Sequence, residues 1–104
     1  MYMLSRVWVS GTGGRYFVEM ETDSVADVVR KAERSGDSVT VAEQRRAAAA
    51  ALRAQGSAMA QARSQGGKVI FRYKVLVNAF SARLSAKGAA DLAQRADVKS
   101  VQPV

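Results

Sequence analysis

Cysteine and histidine are both absent from this 104-residue chain. Without cysteine there is no disulfide framework and no thiolate nucleophile. Without histidine, the commonest general base and the commonest metal ligand are missing together. Proline and tryptophan occur once each, and aromatic residues make up only 7%. No apolar run approaches the roughly 20 residues that a membrane helix needs. The opening MYMLSRVWVSGTGG lacks the apolar core of roughly 7–15 residues that marks a signal peptide. A secreted precursor would have lost its signal ahead of Met1, so extracellular and cytoplasmic locations both stay open. The acidic residues form no convincing acid/base pair, and the serines have no histidine to activate them. Gly66-Gly67 lacks the following Lys-Ser/Thr of a phosphate loop, and Gly13-Gly14 leads into a strand. Neither enzyme activity nor a cofactor is expected.

What is present is positive charge and alternation. The net charge is +7, unevenly placed. Residues 39–104 carry eleven of the sixteen basic and three of the nine acidic side chains. Such asymmetry suits an acidic partner or nucleic acid, or simply a solvated helix face, since the basic residues are dispersed. At 48% hydrophobic residues, the chain can bury one modest core.

Arg15–Glu21 alternates and is rich in strand formers, with Tyr16, Val18 and Met20 directed to the core. Val25, Val28, Val29 and Ala32 make one helical stripe over 24–34, stopped by Ser35-Gly36. Thr40-Val41-Ala42-Glu43 reads as a capping box opening a long alanine-rich helix over 40–64, weakened at Gly56 and ended by Gly66-Gly67. Residues 68–75 and 78–84 alternate as strands. Strict alternation sends Val69, Phe71 and Tyr73 to the core and Ile70, Arg72 and Lys74 outward. Phe80, Ala82 and Leu84 then share the core face, with Ala79, Ser81 and Arg83 opposite. Asn78 is the expected turn residue, because asparagine tolerates positive φ. Ser85 caps a helix over 86–95, and a strand over 98–102 closes the chain.

Leu92, Val98 and Val101 complete the expected core. Arg6-Val7-Trp8-Val9 is either an extra strand, joined to the next by a Gly11-Thr12-Gly13-Gly14 hairpin loop, or part of a disordered leader. Trp8 is expected to pack on the body. Residues 1–14 are thus an N-terminal extension and 15–104 one domain. The expected fold is α+β and ferredoxin-like (βαββαβ): a four-stranded antiparallel-type sheet, helices on one face, and an extra short helix after the first strand.

Tyr16-Phe17-Val18, Tyr73, Asn78-Ala79-Phe80, Ala82, Leu84, Leu92, Val98 and Val101 occur in an order that resembles the propeptide domain of subtilisin-like serine proteases, the peptidase inhibitor I9 family. The resemblance covers about residues 15–104. It implies an intramolecular chaperone and inhibitor, secreted with its protease, that docks through the open sheet face. On this chain the implied docking residues are Ile70, Arg72, Ala79, Ser81 and Arg83. The segment Val101, Gln102, Pro103 and Val104 would lead toward the protease cleft. The implied partner is a subtilisin-like protease, in cis or in trans.

Three departures stand out. Ala79 occupies a position where the family usually has glycine. The helix over 24–34 is an addition. Gln102-Pro103-Val104 is uncharged where the family places acids that cap protease helices, and the inhibitory tail is expected beyond Val104 or missing. Two other readings remain. One is an RNA-recognition-like module, which would need aromatics on the open face, where this reading puts only Phe17. The other is a structural or self-association module.

Overall fold

The computed structural model describes residues 13–104 in full and the backbone of residues 2–4 and 7–9. The elements run β1 (Tyr2–Leu4), β2 (Val7–Val9), β3 (Gly14–Met20), α1 (Val25–Arg34), α2 (Val41–Ser64), β4 (Lys68–Tyr73), β5 (Ala79–Leu84), α3 (Ala86–Ala93) and β6 (Val98–Pro103). β3 to β6 form one antiparallel sheet in the order β4-β5-β3-β6. Each helical crossover therefore joins two parallel strands with a third between them, twice over, as in a ferredoxin-like α+β fold.

The expected strand at residues 7–9 exists, but β2 pairs with β1 and not with β3. Part of the proposed glycine-rich hairpin loop, Gly11 and Thr12, lies outside the described residues, as does the Trp8 side chain. β2 runs beside β6 and α3.

Local chemistry sets the helix ends. Ser24 and Thr40 each form a capping box, with Asp27 and Glu43 respectively, and the Ser85 hydroxyl accepts the Gly88 N–H at 2.9 Å. The first two N–H groups of α1 would otherwise be orphans. Val25 donates to the Lys74 carbonyl at 3.1 Å and Ala26 to that of Val75 at 2.8 Å. The added helix is thus stitched onto the β4–β5 loop.

At the end of α2, the Gly67 N–H reaches back to the Ala62 carbonyl at 2.8 Å, and Gly66 takes φ +82°. A Cβ on Gly67 would sit 2.7 Å from the Ala62 oxygen and 2.8 Å from Leu84 Cδ2. That turn therefore admits only glycine there.

The core lies between one sheet face and the helices. Tyr16, Val18, Met20, Phe80, Ala82, Leu84, Leu92, Val98 and Val101 are buried, as the alternation predicts. From α2, Ala51, Ala58 and Ala62 are fully buried, and their small side chains let the helix approach the sheet closely. The first six residues of α2 are exposed, so the helix, about 36 Å long, overshoots the sheet. α1 packs against it. Gly56 does not break α2.

Truncating Phe80 to alanine should cost about 3–5 kcal/mol and leave so small a domain largely unfolded. A urea melt close to wild type would refute this placement. Gly56 is exposed, and a Cβ added there would meet nothing within 4 Å. Gly56→Ala should therefore stabilise by about 0.5–1 kcal/mol, read as a higher urea midpoint.

Three carboxylates titrate low: Asp27, Asp97 and the exposed Asp91, which the Lys87 ammonium holds down. The Ser24 N–H, donating at 3.0 Å, is the main cause for Asp27, and the Arg95 side chain for Asp97. A depressed folded pKa gives stability that is fully present above the ordinary value of 3.8 and is lost as pH falls through the folded value. With no histidine, the melting temperature should stay nearly level from about pH 5 to 8 and fall below about pH 4. The double variant Asp27→Asn/Asp97→Asn should be less stable at neutral pH, with a shallower acid limb in the same thermal scan.

Candidate docking face

The helix-free face of the sheet is read from its register. Residues directly opposite one another across strands share a face. Phe17 stands opposite Ser81, which stands opposite Phe71. Glu19, Ala79 and Tyr73 form the next row toward the β4–β5 loop, and Arg15, Arg83 and Lys68 the row at the other end. From β6, Gln102 lies beside Phe17 and Ser100 beside Glu19.

One extra residue decides this arrangement. The β4–β5 register shifts between Val69 and Phe71, so Ile70 has no cross-strand partner. Val69, opposite Ala82, packs on the core. Past the bulge the phase reverses. Phe71 and Tyr73 turn to the open face, 64% and 39% exposed, while Arg72 turns toward the helices, opposite Phe80. There Arg72 Nε donates to Gln55 Oε1 at 3.0 Å and Nη2 to the Leu52 carbonyl at 2.7 Å.

Strict alternation fails here because Val69-Ile70-Phe71 is an unbroken apolar run, which fixes no phase. Of the expected docking residues, Ala79, Ser81 and Arg83 lie on the open face. Arg72 is corrected to the helix side, and Ile70 is the half-buried bulge residue.

The open face is consequently aromatic. The Phe17 and Tyr73 rings lie 5.6 Å apart and those of Phe71 and Tyr73 6.4 Å apart. Ala79 and Ser81 on β5 are buried between these flanking side chains. Ala79 is paired on both sides within β5, a setting that asks for no left-handed backbone. The expectation that Phe17 is the sole aromatic on this face is therefore corrected, and with it the reason given against nucleic acid. Val75 and Leu76, next along the chain from Tyr73, are 50% and 82% exposed.

Behind this face sits a polar cluster that the sequence reading missed. Gln55 is fully buried, and its Nε2 donates to the Tyr73 carbonyl at 2.7 Å and to Asn78 Oδ1 at 2.8 Å. Asn78 Nδ2 donates to the Thr22 carbonyl at 2.9 Å, and the Asn78 carbonyl accepts the Met20 N–H at 2.8 Å. Asn78, in the connection from β4 to β5, is thus a buried tie to α2 and to the end of β3. The available signal was Gln55 itself, a lone polar residue on the stripe of Ala51, Ala58, Met59 and Ala62.

The C-terminal segment is less free than expected. Val101 is core, Gln102 and Pro103 pair with Phe17 and Tyr16, and the Val104 N–H donates to the Arg15 carbonyl at 2.9 Å. Gln102 and Pro103 belong to β6, Val104 is tied to β3 by that one bond, and the segment reaches the end where Arg15, Arg83 and Lys68 lie.

Among the described residues no group of acidic side chains could hold a metal ion, and no helix is long and apolar enough to cross a membrane. No curated protein and no solved structure matches the chain. Residues 15–103 do match a family model, Peptidase inhibitor I9, from β3 through the last strand. The open antiparallel sheet with its helices on one side and the sequence match agree: the chain belongs to the peptidase inhibitor I9 family, the propeptide inhibitors of subtilisin-like proteases.

Proposed function

We propose that this domain binds a subtilisin-like serine protease through its open sheet face, inhibiting it and templating its folding, in cis or in trans, in an extracellular setting. The observation that carries this reading is the cluster of Phe17, Phe71 and Tyr73, solvent-facing on an uncovered sheet within the family-matched residues. Aromatic side chains left exposed together make an adhesive surface, and such anchors dominate binding energy at interfaces. Ala79 and Ser81 keep the floor between them low enough for a partner's surface element to settle onto the rings. Extended chain leaving at the Val104 end would add to the protease's substrate groove in strand-like fashion.

The test is binding and inhibition across a set of subtilisin-like proteases. Phe71→Ala/Tyr73→Ala should weaken binding about ten- to hundred-fold while leaving the domain folded, since Phe71 is mostly in water and Tyr73 packs only against its neighbours on the open face. Val41→Ala, at an exposed valine on α2, should bind like wild type. Unchanged affinity for the aromatic variant would remove the sheet face from the interface. Refolding yield of a denatured protease, with and without the domain, tests the templating role separately.

A further inference from the structure

The open face carries a second feature that an apolar docking surface does not need. Arg15 and Arg83 are directly opposite, and Arg83 is directly opposite Lys68. All three are exposed. Their Cβ atoms stand about 5 Å from one strand to the next, so three positive charges cross β3, β5 and β4 in one line. Like charges placed opposite each other destabilise a sheet. Among the described residues none of the three is in an ion pair.

The acid of this face among the paired strand residues, Glu19, is four residues from Arg15 along β3, about 13 Å away. It already faces Lys99 at 3.7 Å. The isolated domain therefore holds a repulsion that nothing within its described residues relieves.

We propose that the Arg15–Arg83–Lys68 row is a recognition site for carboxylates on the partner protease. The fitting partner surface is apolar where it meets Phe17, Phe71 and Tyr73, and acidic beside the row where Val104 joins the sheet. Opposite charge there relieves the repulsion on binding, steers encounter and fixes orientation on the sheet. The proposal rests on the protease-binding reading above. Carboxylates are favoured over nucleic-acid phosphates because the row lies within the residues matched to the peptidase inhibitor I9 family, whose partner is a protease.

The experiment measures association of the chain with subtilisin-like proteases inactivated by a serine-directed sulfonyl fluoride, across ionic strength. Wild type should associate faster as salt is lowered. The triple variant Arg15→Gln/Lys68→Gln/Arg83→Gln should associate at least about tenfold more slowly at low salt, with a flatter salt dependence. Its free form should melt at the wild-type temperature or above, because a repulsion is gone.

Arg45→Gln/Arg46→Gln/Arg53→Gln removes the same charge from exposed positions on α2 and should associate nearly as wild type does. Equal rates and salt slopes for wild type and the row variant would overturn the proposal while leaving the protease reading standing. Equal slowing by the α2 variant would do the same. Wild type that binds no protease in the set would overturn both. Binding of a fluorescein-labelled mixed-sequence single-stranded RNA that is tighter than protease binding, and lost in the row variant, would assign the row to phosphate and overturn the proposal.

Discussion

A buried pair of amides holds this domain's parts in register. Gln55 on α2 and Asn78 at the mouth of β5 meet out of reach of water, and a buried amide left unpaired costs on the order of 1–3 kcal/mol. Their partners come from two other segments: the end of β4, through the Tyr73 carbonyl and Arg72 Nε, and the chain leaving β3, through the Thr22 carbonyl. Among the described residues no buried side-chain polar atom lacks a partner. Helix, loop and two strand ends must therefore arrive together, or several polar groups are stranded at once.

The bulge at Ile70 is the mechanical counterpart of that pair. Without the extra residue, Arg72 would lie on the open face and the two aromatics would press into the helices. With it, the guanidinium reaches Gln55 and Leu52, and the rings cross to the uncovered side. One unpaired residue thus serves both layers. It gives α2 a charged clamp on β4, and it gives the open face its apolar surface. The added helix α1 is fixed to the same region, since its first N–H groups are satisfied by carbonyls just past Tyr73.

Much of this was legible in the residues. Where polar and apolar positions alternate cleanly, as in Tyr16–Met20 and Ala79–Leu84, the faces follow from period alone, and the core drawn from them is the core observed. The Thr40 capping box marked the start of α2, and Ser35-Gly36 and Gly66-Gly67 the ends of α1 and α2, within a residue or two; the capping box at Ser24 was not read from the sequence. β4 was legible as a strand, but its faces past Val69 were not, because three adjoining apolar residues carry no phase information and a bulge is a property of the paired strand. Gln55 was hidden among alanines by the opposite effect: a polar residue on a small-residue stripe looks tolerated until its partner on another element is known. The row of like charges also depends on pairing, because Arg15, Lys68 and Arg83 are far apart in sequence and only the register aligns them.

The same bulge bears on how such a domain survives at high concentration. β4 ends the four-stranded sheet, so its outer edge offers backbone N–H and C=O groups to any passing strand. An unbroken, apolar six-residue edge of this kind would template chain upon chain. Ile70 interrupts its ladder and bends the strand, and Lys68 at its start sets a charge on that margin. A second molecule laid along β4 would find no continuous run of matching partners. The irregularity that exposes the rings on the sheet's face also makes its edge a poorer template for copies of itself.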